Sequence, residues 1–210
     1  MCNSVFENIC MNCQQIWSQT AIEIDTQGFK TFSVIAYDQS VSSVVLKAKE
    51  DRNRLAQKLM AEALTNSILA WKPYVRLSEC LLVPIPSTKR AIRKRGGSFL
   101  HPILKRVTED LAREGESEII WREILVHTRR VRDQADLSSV AREKNLDSAL
   151  RLDLNEAGVT QYSNRPIIVI DDVITTGATL KSAVKALRER KMTVLGASTA
   201  CTSAHRLLLR

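Results

Sequence analysis

The stretch that decides the fold is Ile167-Ile-Val-Ile-Asp-Asp-Val-Ile-Thr-Thr-Gly-Ala-Thr-Leu180. Its first four residues are β-branched and follow a proline, which predicts a short strand buried on both faces of a parallel sheet. Asp171 and Asp172 then end the apolar run, so we expect the strand to end there, at the carboxyl edge of the sheet. Apolar residues at helical spacing begin at Leu180. The segment therefore predicts a strand, an acidic pair, a small loop and a helix.

The loop, formed by Thr175, Thr176, Gly177, Ala178 and Thr179, has the composition of a phosphate site. Backbone N–H groups at a helix N-terminus point outward unsatisfied and favour an anion. Gly177 lets the backbone approach a ligand, and the threonine hydroxyls add donors. A simple strand-to-helix turn with threonine caps is the structural alternative. Neither a Walker loop nor a three-glycine dinucleotide fingerprint matches the segment.

The two carboxylates just before this loop, Asp171 and Asp172, would repel a phosphate. They suit neutral hydroxyl groups instead, such as the 2′ and 3′ hydroxyls of a ribose. A phosphate site and a ribose site in one segment indicate a ribose 5-phosphate as the ligand.

Composition is that of an ordinary globular protein of 210 residues, with 44% hydrophobic and 26% charged residues. This length predicts one domain with an appendage. The net charge of +8 favours an anionic partner, either nucleic acid or a multiply charged substrate. Aromatic residues are only 5% and no basic stripe alternates with them, so a single-strand stacking platform is not favoured.

No apolar run reaches the roughly 18 residues of a membrane span, and no signal peptide is recognisable. The five cysteines, an odd number without an export signal, predict a reducing cytoplasm. Three of them, Cys2, Cys10 and Cys13, are weak zinc candidates, because a structural zinc site normally needs four ligands and no His lies in the first hundred residues. We therefore divide the chain into an N-terminal segment with degenerate zinc-ribbon-like cysteines (1–30) and a main domain (31–210), and we do not expect zinc.

The remaining chain alternates predicted strands with predicted helices. The strands are Thr31–Tyr37, Leu81–Pro86, Glu123–Thr128 and Thr193–Thr199, and the helices are Ser40–Glu50, Asp51–Trp71 and Ser98–Arg113. Cations at Lys47, Lys49, Arg52 and Arg54 are typical of a solvated helix face. Cys80 and Cys201 fall beside predicted strands and are interpreted as small core residues.

The 167–180 segment resembles, residue by residue, the phosphoribosyl diphosphate (PRPP) signature of type I phosphoribosyltransferases. Further short motifs resemble, in their order, the ComF family (the competence protein F group). These motifs are Pro84-Ile85-Pro86, Arg95-Gly96, Arg129 with Gln134, Arg142 with Asn145, and Lys47 after an apolar helix. The chain departs from that family in keeping only three of four ribbon cysteines and in having Gly97-Ser98 where the family has Phe-Asn.

This resemblance implies an α/β, Rossmann-like type I phosphoribosyltransferase fold, with a central parallel sheet of about five strands and helices on both faces. A small irregular hood would form from the N-terminal segment and residues 128–145.

It also implies transfer of a phosphoribosyl group from PRPP to an unknown acceptor, with release of pyrophosphate. Asp171 and Asp172 would be the catalytic carboxylates on the ribose, and Thr175–Thr179 would bind the 5′-phosphate. The pyrophosphate would be bound by a loop made of Pro84, Ile85, Pro86, Ser87, Lys89 and Arg90. The hood would contribute Arg129, Arg132, Gln134 and Arg142. Mg²⁺ would accompany PRPP, held mostly by substrate oxygens.

Two other functions compete with this one. The first is a non-catalytic sensor of PRPP or a nucleotide on the same fold, and the second is an accessory role in DNA uptake, as the competence label suggests. We expect no membrane partner, and nucleic acid is not favoured. Both a monomer and a homodimer are compatible with these features.

Overall fold

A mostly parallel six-stranded sheet forms the centre of the computed structural model, which describes residues 11–26, 28–128 and 150–203. The strands of this sheet are β1 (Ile22–Asp25), β2 (Lys30–Tyr37), β3 (Leu81–Pro84), β4 (Ile120–Trp121), β7 (Ile167–Ile174) and β8 (Val194–Ser203). They are arranged in the order β1-β2-β8-β7-β3-β4, and only β1 runs antiparallel to its neighbour. The predicted α/β fold is confirmed, with six strands where about five were expected.

Helices cover both faces of the sheet. They are α1 (Met11–Trp17), α2 (Gln39–Lys49), α3 (Arg54–Leu69), α4 (Lys89–Arg95), α5 (Leu100–Arg113), α6 (Glu156–Tyr162) and α7 (Ala178–Glu189). One apolar core joins α2, α3 and α5 to the sheet, and a second joins α7 to its opposite face. This is the three-layer arrangement that alternating strands and helices require.

The N-terminal residues that the structure describes contribute to this domain. Trp17 of α1 is fully buried in the core with α3, and β1 pairs with β2 at the edge of the sheet. Cys80, directly before β3, and Cys201 of β8 are fully buried, as their interpretation as core residues predicted.

Strand β7 is longer than predicted, because it continues through the acidic pair to Ile174. The neighbouring strand β8 is ten residues long and supplies partners for this extension, Thr199 for Asp171 and Thr202 for Ile174. The prediction that the strand ends at the acidic pair was therefore wrong, since Val173 and Ile174 add a further stretch of pairing beyond it.

Two further predictions needed correction. The strand expected at Glu123–Thr128 is only Leu125–His127 (β5), and it pairs antiparallel with β6 (Leu150–Leu152) in a separate two-stranded sheet. Lys89 and Arg90, which were expected in the pyrophosphate loop, instead begin the short helix α4, with Thr88 Oγ1 accepting a hydrogen bond from the Ala91 N–H as its cap.

Candidate functional site

The loop between β7 and α7 lies at the carboxyl edge of the sheet, where ligands bind in open α/β folds. Gly177 has φ of 77°, a left-handed conformation that favours glycine, and it is buried directly before the first residue of α7. Thr175 and Thr176 are exposed on the loop. Thr176 Oγ1 accepts from the Ala178 N–H at 3.3 Å, so one N-terminal N–H of the helix is already capped.

The backbone N–H groups of Thr179 and Leu180 also lie in the first turn of α7, which is twelve residues long. The Ser203 hydroxyl at the end of β8 donates to the Thr175 carbonyl oxygen at 3.4 Å, which ties the loop to the neighbouring strand. An exposed, tethered turn with a buried glycine and a helix dipole behind it is suited to an anion such as a phosphate monoester.

The acidic pair is asymmetric. Asp172 is buried, with 8% of its surface exposed, and its Oδ2 forms an ion pair with Lys49 Nζ at the end of α2. Asp171 Oδ1 accepts a hydrogen bond from the Asp172 N–H at 2.9 Å. Burial of this carboxyl group, and then the neighbouring charge of Asp172, raise the pKa of Asp171 well above its ordinary value. One carboxylate is thus paired with a lysine, while burial and a neighbouring charge favour the neutral form of the other.

Lys49 is a site residue that the sequence analysis missed. It was grouped with Lys47, Arg52 and Arg54 as a solvated face, yet its ammonium contacts Asp172 and lies 5.4 Å from the centre of the Phe99 ring. No local signal distinguishes it, because Asp172 follows it by more than a hundred residues. The one signal that could have found it is its place in the last turn of α2, because that helix follows a buried strand of the same sheet.

The proline loop after β3 reaches the same edge as the acidic pair. Pro84 is in register with Ile170, and the Ile85 N–H donates to the Ile170 carbonyl oxygen at 2.8 Å. The Pro86 carbonyl oxygen lies 2.8 Å from His127 Nε2, and because a carbonyl only accepts, Nε2 is the donor. Ser87 is half-buried, whereas Lys89 and Arg90 are exposed at the start of α4. The structure therefore brings Pro84–Pro86 beside β7 and leaves the two cations facing solvent.

Several predicted residues lie outside the described part of the chain. These are the hood residues Arg129, Arg132, Gln134 and Arg142, together with Cys2 and Cys10. Cys13 falls in α1.

Within the described ranges, no group of three or more His, Cys, Asp or Glu residues is placed to hold a metal ion. The part of the chain that the structure covers also contains no helix long and apolar enough to cross a membrane.

Comparison with known proteins agrees with this geometry. A family model described as the phosphoribosyl transferase domain matches residues 91–210, more than half of the chain. A search of curated proteins finds none that matches. The matched region contains the acidic pair, the Gly177 loop and α7, and the sheet has the parallel arrangement of the type I fold. The chain belongs to the phosphoribosyl transferase domain family.

Proposed function

We propose that this protein binds PRPP and transfers its phosphoribosyl group to an acceptor, in the manner of ComF-type phosphoribosyltransferases. The observation that carries the proposal is the continuous path from Asp171 and Asp172 through the Gly177 turn into α7. One segment of the chain thereby offers hydroxyl acceptors and an anion site at a short separation.

In this arrangement the turn at Thr175–Thr179 takes the 5′-phosphate, and the acidic pair accepts hydrogen bonds from the ribose hydroxyls. The Pro84–Ser87 loop, beside β7, is the natural place for the pyrophosphate, with Lys89 and Arg90 following it. Mg²⁺ would draw most of its oxygen ligands from PRPP and water. That ion would supply charge neutralisation on the pyrophosphate.

The reaction breaks the bond between the anomeric carbon and a pyrophosphate oxygen, and the electron pair leaves with pyrophosphate. The acceptor's nucleophilic atom forms the new bond to that carbon and releases its proton. Positive charge develops on the ribose as the leaving group departs, and Asp172, which we assign to the ribose hydroxyls, would stabilise that charge. Holding ribose, leaving group and acceptor in line is the protein's main contribution.

The binding step is tested with a double variant, Asp171→Asn with Asp172→Asn. Charge-assisted hydrogen bonds contribute about 1.5–3 kcal/mol each, so PRPP affinity, measured by calorimetry with Mg²⁺, should fall at least tenfold. Inorganic phosphate, which reaches the turn but not the carboxylates, should bind as before. A matched control, Asp110→Asn with Asp153→Asn, makes the same change of charge at two surface ion pairs. Equal PRPP affinity in all three proteins would exclude the ribose assignment.

The catalytic step is tested by screening purines, pyrimidines and amines for PRPP-dependent release of pyrophosphate. Release with one acceptor, lost in the double variant, supports the transferase. PRPP binding with intact PRPP recovered after incubation with every acceptor would instead assign a non-catalytic sensor.

A role in DNA uptake is the second candidate, favoured by the row of exposed cations on α4, among them Arg93 and Lys94. It predicts DNA retention that weakens steeply as salt rises. Tight PRPP binding without DNA retention would exclude it. The cytoplasm, where thiols stay reduced, is the compartment that we propose for either function.

A further inference from the structure

A cationic cavity lies between the loop that joins α2 to α3 and the loop that joins α4 to α5. Its volume is about 260 Å³. Among the described residues that line it, four are cations, Lys49, Arg52, Arg54 and Arg95, and none is a carboxylate. The ring of Phe99 forms an apolar wall beside the Lys49 ammonium. Such a concentration of positive charge in a concave site favours an anion.

Two features of the backbone at the cavity wall accommodate the Arg52 side chain. Arg52 itself has φ of 51°, a left-handed conformation that is rare for a side chain of its size. Its guanidinium lies against the turn Gly96-Gly97, where a Cβ added to Gly97 would come within 3.2 Å of Arg52 Nη2. The two glycines therefore leave room for the guanidinium at the cavity wall.

The cavity is separate from the turn proposed for the 5′-phosphate. Helices α2, α3 and α5 pack on one face of the sheet, whereas α7 packs on the other. Lys49 connects the two regions, because it lines the cavity and also forms the ion pair with Asp172.

We propose that this cavity is a second anion site, which binds a small molecule through a phosphate or carboxylate group. Because one water molecule occupies roughly 30 Å³ in the liquid, the cavity has room for a group of the size of one aromatic ring or a diphosphate. Through Lys49 it lies one side chain away from Asp172, so the anion can belong to an acceptor substrate or to a separate effector.

The test is calorimetric titration of inorganic phosphate into the full-length protein at constant ionic strength, without PRPP. The variant Arg52→Gln with Arg54→Gln removes two cavity cations. Arg93→Gln with Lys105→Gln is the matched control, because it removes two exposed helix cations that do not line the cavity. We expect at least a tenfold loss of affinity for phosphate at one site in the cavity variant and less than a twofold change in the control. Equal weakening in both, or in neither, would overturn the proposal.

A second variant, Gly97→Ala, changes no charge. Its methyl group should displace Arg52 and weaken phosphate binding severalfold, with a circular dichroism spectrum like that of the wild type. Unchanged affinity in a folded Gly97→Ala protein would contradict a site built around Arg52.

Further titrations identify the source of the anion, and this part alone rests on the proposed function. With saturating PRPP and Mg²⁺, phosphate should still bind the cavity; its displacement by PRPP would show that PRPP fills the cavity and would overturn a separate site. Competition between phosphate and an acceptor found by pyrophosphate release assigns the cavity to the acceptor, and independent binding assigns it to an effector. Failure of PRPP to bind at all would refute the proposed function but leave the variant titrations valid.

Discussion

The two adjacent carboxylates of β7 differ in what surrounds them. Asp172 forms an ion pair with Lys49, whereas Asp171 accepts a backbone hydrogen bond from its neighbour. A single acidic dipeptide thus provides one acceptor that is paired with a cation and one whose raised pKa makes its charge depend on pH and on the ligand.

Replacement of Asp171 by Asn should stabilise the empty protein at neutral pH. The pKa of Asp171 is raised in the folded state, so ionisation above its unfolded pKa of about 3.9 destabilises the native protein. The advantage of the Asn variant in free energy of unfolding should be absent below pH ~4 and should grow until the pH exceeds the native pKa. Urea unfolding at a series of pH values measures it, and a constant difference across that range would contradict the raised pKa.

The ligand should shift the same titration. Ribose hydroxyls donate to the ionised carboxylate and favour it, so PRPP affinity should fall as pH drops through the native pKa of Asp171. An affinity that does not vary with pH over that interval would mean that the ribose does not use Asp171.

Replacement of Lys49 by Met should destabilise the protein, because it leaves the buried Asp172 carboxylate without its cation. We expect a loss of about 1–3 kcal/mol in the free energy of unfolding. The control is Lys94→Met, which breaks the exposed ion pair with Glu50 and should change little.

A double variant, Lys49→Met with Asp172→Asn, should recover part of the stability lost in Lys49→Met. The stability regained measures the cost of the unpaired charge, and the stability still missing measures the lost packing against Phe99. A double variant less stable than Lys49→Met alone would show that the ion pair is not the source of the effect.

The order of strand, acidic pair, Gly177 turn and helix was predictable from the sequence, because the strand and helix patterns of this segment are both strong, but the extension of β7 past the acidic pair was not. The partner of Asp172 was not. Lys49 reaches it through the packing of α2 on the sheet, and no local pattern records a contact between residues so distant along the chain.

Among the elements, the ten-residue strand β8 lies between β2 and β7. At Gly196 an added Cβ would come within 2.0 Å of the Lys30 carbonyl oxygen and 2.7 Å of Trp71 Cη2. The backbone of β2 on one side and a buried indole on the other leave no space for a methyl group.

The substitution Gly196→Ala should therefore reduce the free energy of unfolding by about 3 kcal/mol or more, at the upper end of overpacking effects. Gly97→Ala is the control, because the nearest atom there is the flexible end of Arg52. Thermal and urea unfolding of both variants measure the difference. If Gly196→Ala is as stable as Gly97→Ala, the close packing of β2 on β8 is not as described.

Elements with long, regular patterns were predicted well, and short ones were not. The predicted helix Asp51–Trp71 is α3, which begins at Arg54 because Asn53 caps its start and which ends at Leu69. One strand was predicted at Glu123–Thr128, but the chain forms β5 there, paired with β6, and also the separate short strand β4 before it, beside β3. Two or three apolar residues fit either sheet, so only the tertiary pairing decides between them.

At the scale of the whole molecule, the zinc content of the purified protein tests the role of the N-terminal cysteines. Only three thiols lie near the N-terminus, fewer than a structural zinc site normally uses. Purified protein should therefore contain far less than one zinc per chain by elemental analysis. Near-stoichiometric zinc that disappears in Cys10→Ser would restore a zinc ribbon.

The two buried cysteines mark opposite ends of the molecule's central sheet. Cys80 precedes β3 at the amino edge, and Cys201 lies near the end of β8, in register with Val173 at the ligand edge. Burial raises the pKa of the Cys80 thiol to about 11 and that of Cys201 further, so neither forms a reactive thiolate while folded. With Cys2, Cys10 and Cys13 replaced by Ser, the alkylation rates of these two thiols would report local unfolding around each of them. A ligand at the carboxyl edge should delay alkylation of Cys201 more than that of Cys80, so the order in which the two react would show which edge of the sheet opens first.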